Sequence, residues 1–336
     1  MISTGPTSLK SYNTFGVDAH CAAFFVIDHQ DLILSFLDTS IAQPYILGGG
    51  SNLLIVNDLP YTILKNEIKG TEVIEENEAY INVCVGGGVV WHDFVLWAIE
   101  NGYGGVENLS LIPGCVGAAP IQNIGAYGIE QESSFLSLDA IELESGNHLV
   151  FEHKDCQFGY RDSIFKRDLK GKLMITHVTY RLSKSPEVNT SYGAITETLA
   201  QKGINHPSIR DVSNAVIEIR SSKLPDPKVL GNSGSFFKNP VVNASFFDAL
   251  MTRFDKIVHY KLPDGTYKIP AGWLIDQCGW RGKREGNVGC YEKQALVIVN
   301  HGGATGIEIW NFAQKIQADV LDKYGIELEP EVNVLI

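Results

Sequence analysis

Ile112-Pro113-Gly114-Cys115-Val116-Gly117-Ala118-Ala119-Pro120-Ile121-Gln122-Asn123-Ile124-Gly125-Ala126-Tyr127-Gly128 is the stretch on which the reading of this chain turns. A glycine cluster between strand and helix lets backbone N–H groups approach a phosphate with no Cβ in the way. Tight turns and bulges in a glycine-rich α+β fold account equally well for any one such cluster. On its N-terminal side lie Gly48-Gly49-Gly50-Ser51-Asn52 after the strand-like Tyr45-Ile46-Leu47, then Gly86-Gly87-Gly88, then glycines at 102–105. None fits G-x-G-x-x-G or G-x-x-x-x-G-K-[ST], which removes a simple dehydrogenase and a P-loop kinase.

Around these clusters the chain alternates strands and helices. Thr62-Ile63-Leu64 reads as a strand, as does 80–85, with Ile81, Val83 and Val85 on one face and Tyr80, Asn82 and Cys84 on the other. Residues 89–101 read as a helix, with Val90, Phe94, Trp97 and Ala98 on one stripe and Gly102 as its stop. Strands are expected near 138–150 and 173–182. After a polar stretch at 183–190, Asp211 precedes a helix running through Arg220 and broken at Leu224-Pro225-Asp226-Pro227. The last helix carries a capping-box signature in Thr305 and Glu308, a stripe of Ile309, Phe312, Ile316 and Val320, and Gly325 as its terminator. Val332 to Ile336 reads as a closing strand.

The 336 residues suffice for two or three packed domains. A hydrophobic share of 44% and a charged share of 20% exclude a wholly disordered chain. With 27 basic against 39 acidic residues the net charge is −12, the wrong sign for a generic nucleic-acid or anionic-membrane binder, though not for a local phosphate pocket. The six cysteines form no C-x-x-C pair and read as reduced, structural thiols; the nine histidines form no H-E-x-x-H, and no metal site is expected. Met1-Ile2-Ser3-Thr4-Gly5-Pro6 shows no signal-peptide pattern, and no stretch approaches about 18 apolar residues. The expectation is a soluble cytoplasmic protein with no membrane or nucleic-acid partner.

Taken in order, the glycine clusters resemble the flavin-binding half of the UDP-N-acetylenolpyruvoylglucosamine reductase (MurB) family. The resemblance continues through Gly159-Tyr160-Arg161-Asp162-Ser163, Ser222-Lys223-Leu224-Pro225-Asp226-Pro227, Gly231-Asn232-Ser233-Gly234-Ser235-Phe236-Phe237-Lys238-Asn239-Pro240, Ala271-Gly272-Trp273-Leu274-Ile275-Asp276 and Leu328-Glu329-Pro330-Glu331-Val332. Ser191-Tyr192-Gly193-Ala194 is similar to the type I branch, where a tyrosine-bearing loop covers the substrate. The fold implied is α+β: a two-part FAD-binding module of the vanillyl-alcohol-oxidase (PCMH) type plus a C-terminal α+β substrate-binding domain. The parts would be 1–69 joined by the strand 326–336, then 70–210, then 211–325.

The resemblance implies NADPH-dependent reduction, through dissociable FAD, of an enolpyruvyl ether on a UDP-sugar in peptidoglycan precursor synthesis. Three residues match the catalytic set. Arg161 would hold a carboxylate and stabilise the developing enolate, and Ser235 would donate the proton to carbon. Glu331 would sit near the same carboxylate, protonated or paired with Arg161. The flavin positions carried over are Gly48, Gly49, Gly50, Ser51, Asn52, Leu53, Gly86, Gly88, Pro113, Gly114, Gly117, Ala118, Pro120, Gln122, Asn123, Gly125, Ala126 and Tyr127. The substrate positions are Tyr192, Lys223, Asn239, Tyr260, Lys268 and Gln294. Outside their motifs, Arg161 reads as a surface ion pair, Ser235 as a turn hydroxyl and Glu331 as a solvated acidic end. No residue suggests covalent flavin attachment, Cys115 reading as a packed thiol.

Two departures stand out. Asn333 follows Glu331-Val332 where relatives often carry a basic residue, and Arg281 stands where some carry lysine. The competing readings are an oxidase or dehydrogenase of the same flavin fold acting on another substrate, a non-catalytic FAD or nucleotide-sugar sensor, and a serine hydrolase, which the absent G-x-S-x-G elbow disfavours. No obligate protein partner is expected, and the protein is read as a monomer.

Overall fold

The computed structural model describes residues 2, 3, 5–37 and 44–336; Met1 and Thr4 of the N-terminal segment lie outside them. The described residues form two compact units. The first is drawn from Met1–Thr7, Cys21–Gly49 and Pro60–Ser222, the second from Ser8–His20, Gly50–Leu59 and Lys223–Ile336.

The first unit contains two five-stranded sheets and a short antiparallel pair, Gly125–Ala126 with Ile129–Glu130. In one, Ile2–Ser3, His20–Ile27, Leu59–Asn66 and Tyr45–Leu47 are neighbours in that order, the last pair parallel with Ile46 opposite Leu64. The other is antiparallel throughout, in the order His148–Glu152, Phe135–Glu142, Leu173–Ser183, Tyr80–Gly86, Thr71–Glu76. The strand expected at 138–150 is a hairpin: Gly146 at φ 75° turns the chain between Phe135–Glu142 and His148–Glu152.

Ile81, Val83 and Val85 are buried as the alternation requires. The opposite face is covered too. Asn82 is buried, donates to Glu75 Oε2 at 2.5 Å and accepts from Arg181 Nε at 2.9 Å. Trp91 anchors the core on the apolar side, its ring 5.7 Å from those of Phe94 and Tyr180 and its indole N–H donating to the Leu109 carbonyl at 2.9 Å. A second cluster joins Phe25, Ile27, Ile33, Phe36 and Leu64 to Ile141, Leu143 and Met174, so the two sheets share apolar contacts.

The helix expected at 89–101 is Trp91–Glu100, closed by Gly102 at φ 80°. Val90 is not on its stripe: its backbone is extended and bridges Cys115, which leaves the side chain exposed. The next expected helix is Ile209–Lys223, starting before Asp211 rather than after it. Ser208 Oγ accepts the Asp211 N–H at 3.2 Å and Asp211 Oδ2 accepts the Ser208 N–H at 2.9 Å, so Asp211 is the third-position acid of a reciprocal cap. A further helix, Gly193–Gln201, follows Tyr192.

The second unit has an antiparallel sheet in the order Gly231–Ser235, Gln294–Asn300, Val288–Tyr291, Arg284–Glu285, and a small sheet of Val241–Val242, Tyr267–Lys268 and Tyr260–Lys261. Helices Ala244–Arg253, Ala271–Gln277 and Gly306–Tyr324 complete it. The last has the expected reciprocal cap, Glu308 N–H to Thr305 Oγ1 at 3.3 Å and Thr305 N–H to Glu308 Oε2 at 2.8 Å, and ends at Gly325 with φ 68°. The closing strand is Asn333–Leu335, parallel to Leu53–Ile55. The architecture is α+β, and all six cysteines are free thiols.

Candidate active site

Three of the glycine clusters meet backbone to backbone in the first unit. A Cβ on Gly49 would stand 2.9 Å from the Gly114 Cα, and one on Gly117 would stand 3.0 Å from the Gly87 Cα. Hydrogen bonds hold the arrangement: Gly117 N–H to the Gly87 carbonyl at 2.9 Å, Val116 N–H to Val89 at 2.9 Å, and Trp91 N–H to Gly114 at 3.0 Å. The clusters differ in what they leave over. The N–H groups of Gly86, Gly87 and Gly88 donate to the carbonyls of Gly70, Thr176 and Ile68, so those glycines permit close packing and have no backbone donor to spare. No hydrogen bond among the described residues uses the N–H of Gly49 or Gly114, and Gly49 is exposed. Such backbone donors, in a cradle that side chains would block, suit the diphosphate of a dinucleotide cofactor.

Lys65 and Lys69 add positive charge near these loops; both pair with Glu67, and Lys69 donates to the Gly88 carbonyl. Burial nevertheless pushes the Cys115 thiol up, the two lysines opposing it. An un-ionised thiol is a poor nucleophile, as a packed structural cysteine should be.

Arg161 stands at φ 55° on a loop closed by reciprocal 3.1 Å backbone bonds between Gly159 and Asp162. Its Nη2 donates to the Gly125 carbonyl at 2.6 Å, and a Cβ on Gly125 would come within 3.3 Å of Nη1. Buried Asn123 ties the surroundings together, donating from Nδ2 to Glu130 Oε2 and Glu132 Oε1 at 3.1 Å each and to the Gly159 carbonyl at 3.2 Å. Burial and then the neighbouring Glu132 hold the Glu130 carboxyl above its ordinary value, with Arg161 pulling the other way. Leu111, Asn123, Tyr127 and Arg161 all carry positive φ without being glycine. Such strain costs about 1–3 kcal/mol per residue and concentrates at functional sites.

In the second unit, Ser235 ends the strand Gly231–Ser235 just after Gly234 at φ 69°. The Glu331 N–H donates to the Phe236 carbonyl at 2.8 Å and the Lys238 N–H to that of Glu329 at 2.9 Å, so residues 329–331 run antiparallel to 236–238. Asn52 Nδ2 donates to the Glu331 carbonyl at 3.2 Å, and Ser233 Oγ to that of Leu53 at 3.2 Å. Ser235, Glu331, Asn52 and Leu53 are therefore brought together. Asn333 donates both its backbone N–H and its Nδ2 to the Asn52 carbonyl at 3.1 Å, a neutral clamp on the residue that follows the glycine loop.

The substrate positions divide between the units. Tyr192, in the first, meets Tyr127 edge-on with ring centroids 5.1 Å apart. In the second, Tyr260 and Lys268 are register partners, the Lys268 Nζ 6.0 Å from the Tyr260 ring. Lys223 is exposed. Asn239 Oδ1 accepts the Ala271 N–H at 2.9 Å and so fixes the start of helix Ala271–Gln277; Gln294 Oε1 accepts the Leu296 N–H at 3.3 Å. Arg281 is paired with Asp276, and Lys283 lies 3.6 Å from the Trp280 ring centroid while pairing with Glu285 at 3.4 Å. Among the described residues, no group of three or more His, Cys, Asp or Glu is set to hold a metal ion.

One residue passed over at the level of sequence is Arg220, three positions before the end of helix Ile209–Lys223. Its Nε is buried without a hydrogen-bond partner, its guanidinium faces the Tyr127 phenol, and Arg161 repels it. An arginine at an ordinary helical position gives no sign of this in sequence.

Comparison with known proteins bears on both units. A family profile described as the C-terminal domain of UDP-N-acetylenolpyruvoylglucosamine reductase matches residues 226–335, and one described as an FAD binding domain matches 33–151. A UDP-N-acetylenolpyruvoylglucosamine reductase of Flavobacterium johnsoniae is 47% identical over 330 residues, covering 98% of each chain. One of Burkholderia vietnamiensis is 48% identical, covering 96% of this chain and 94% of that one. The crystal structure of the Thermus caldophilus reductase superposes with a TM-score of 0.71 over the whole of both chains at 21% identity, a likeness of fold.

Proposed function

The chain belongs to the UDP-N-acetylenolpyruvoylglucosamine reductase family, and from that premise we propose how its residues share the reaction. The protein is an FAD-dependent oxidoreductase that reduces UDP-N-acetylenolpyruvoylglucosamine in peptidoglycan synthesis, with non-covalent FAD and with NADPH as co-substrate. When bound, the flavin supplies hydride transfer from NADPH to the enolpyruvyl group.

Hydride arriving at the terminal carbon leaves negative charge on the neighbouring carbon and its carboxylate, and that carbon needs a proton. In our reading Ser235 Oγ delivers it, while Arg161 holds the carboxylate by paired hydrogen bonds. Glu331, protonated or paired with Arg161, avoids repelling that carboxylate. The observation that carries this reading is the bond from Glu331 N–H to the Phe236 carbonyl, with Asn52 on Glu331. Two groups drawn from distant motifs meet there beside the glycine loop, which two unrelated turn residues have no reason to do.

The diphosphate of FAD falls to the backbone donors of Gly49 and Gly114, and Tyr192 covers the substrate as in the type I branch. The partition into 1–69 with 326–336, 70–210 and 211–325 is proposed as the functional one. No helix among the described residues is long and apolar enough to cross a membrane. We place the reaction in the cytoplasm, carried out by a monomer without an obligate partner.

The test is anaerobic spectroscopy: NADPH should bleach the flavin, and UDP-N-acetylenolpyruvoylglucosamine should restore its colour. Ser235→Ala should bleach normally and recover slowly. Bleaching without recovery in the unaltered protein would favour an oxidase or dehydrogenase of the same fold acting on another substrate.

A further inference from the structure

Asn108 gives its two amide hydrogens to two loops that lie far from it in sequence. Its Nδ2 donates to the Asn189 carbonyl at 2.9 Å and to the Tyr127 carbonyl at 3.2 Å. A primary amide carries two donor hydrogens, so both are committed. The residue is 1% exposed and has no face to offer a ligand.

The amide stands on a firm base. Glu107–Leu109 is a buried helical turn. Glu107 Oε2 accepts the Gly105 N–H at 2.7 Å, and the Leu109 carbonyl accepts from the Trp91 indole at 2.9 Å. Ser110 Oγ donates to the Glu107 carbonyl at 2.7 Å and meets Ser213 Oγ at 2.8 Å.

The loops it holds have fewer ties of their own. Among the described residues, every other hydrogen bond of residues 188–192 stays within that loop or reaches helix Gly193–Gln201, which follows it. Tyr127 is a non-glycine residue at φ 51°, a conformation that its surroundings must maintain. The two loops also meet through their rings, Tyr127 edge-on to Tyr192 at 5.1 Å, while Tyr192 stays 46% exposed. Asn108, Asn189, Tyr192 and Tyr127 thus close a circuit, with the buried amide at one end and two ring faces at the other.

We propose that Asn108 is a positioning residue for the reaction: it holds the loop bearing Tyr192 in fixed relation to Tyr127, a flavin position by motif. The inference rests on the reading that Tyr192 covers the substrate. Without the amide, the loop keeps only its internal bonds and the ring contact. Its ordering then falls on the binding step, which weakens binding. Because no ligand reaches Asn108, the whole effect passes through the tyrosine it holds.

The experiment is a double-mutant cycle on the oxidised holoenzyme without NADPH, using Asn108→Ala, Tyr192→Ala and the two combined. Binding of UDP-N-acetylenolpyruvoylglucosamine is followed by the change in flavin absorbance, with FAD content and melting temperature recorded for each protein. Each single variant should bind about tenfold more weakly. The double variant should stay within about twofold of Tyr192→Ala, since a loop without its tyrosine gains nothing from being held.

Losses that multiply, to about 100-fold in the double variant, overturn the proposal, because Asn108 then acts by a route that bypasses Tyr192. An Asn108→Ala protein that binds like the unaltered one overturns it too, whatever its melting temperature. If Asn108→Ala does not retain FAD, the same cycle with Asn108→Ser, whose single hydroxyl hydrogen serves one carbonyl at most, decides. Tyr192→Ala binding like the unaltered protein would instead defeat the covering role, and the inference with it. No response to the enolpyruvyl compound in the unaltered enzyme would defeat the reading of the reaction itself.

Discussion

Arg161 stands at φ 55° on a loop closed by two bonds between Gly159 and Asp162, its guanidinium resting on the carbonyl of a glycine. Ser235 and Glu331, in the other unit, stand on extended segments tied by ordinary antiparallel bonds, with only Gly234 bent into the left-handed region. The first arrangement depends on side-chain bonds such as those of Asn123. The second depends mainly on backbone bonds, which most substitutions leave in place, with Asn52 and Ser233 adding side-chain bonds. The surroundings of Arg161 thus depend more on side-chain contacts, and those of Ser235 and Glu331 more on the backbone.

The contrast can be broken at each end. Ser235→Ala should lower kcat by about 1000-fold while FAD content and melting temperature stay near those of the unaltered protein, because nothing but a hydroxyl is removed. A loss below tenfold would take the proton away from Ser235. Arg161→Lys should cost about 100-fold in kcat/KM, chiefly through the loss of the planar fork. Steady-state kinetics reports both.

The supports sharpen the same contrast. Asn123→Ala leaves two carboxylates and a carbonyl without their shared donor; the expected loss is about 2 kcal/mol in urea unfolding, with kcat/KM falling as the Arg161 loop loosens. Asn333→Ala, on the ladder side, removes one side-chain donor from a carbonyl that keeps a backbone partner, so about 1 kcal/mol or less is expected. Equal effects on turnover from the two would abolish the distinction.

The smallest expected effect is a slope. The Glu130 carboxyl is held above its ordinary 4.5 by burial and Glu132. The folded state therefore favours its protonated form, and the associated stability is lost as pH rises from the ordinary value through the raised one. Glu130→Gln should gain on the unaltered protein as pH rises through that window, read from urea midpoints at several pH values.

Elements with local signals were legible before any coordinates. Thr305, Glu308 and Gly325 mark both ends of one helix because caps are local chemistry. Val90 misled because its helical spacing was outweighed by a bridge to Cys115, a partner 25 positions away that no local pattern reports. Helix Gly193–Gln201 opens with glycine and carries threonines, a weak helical signal that its buried Ile195 and Leu199 override through packing. In the site, family motifs named Arg161, Ser235 and Glu331, yet they could not say which glycines keep a free N–H. Gly49 and Gly88 look alike in sequence and differ only in what stands opposite them. Arg220 was illegible for the same reason, since what its guanidinium faces is a property of its surroundings.

The pairing of Leu53–Ile55 with Asn333–Leu335 has a consequence for the making of the protein. On the ribosome, Leu53, Leu54 and Ile55 emerge early, while the strand that completes them is translated nearly the whole chain later. Until then three apolar residues, all buried in the finished protein, present an unpaired edge to other nascent chains. The second unit is therefore sealed only after residues 333–335 have emerged, whatever has folded before them.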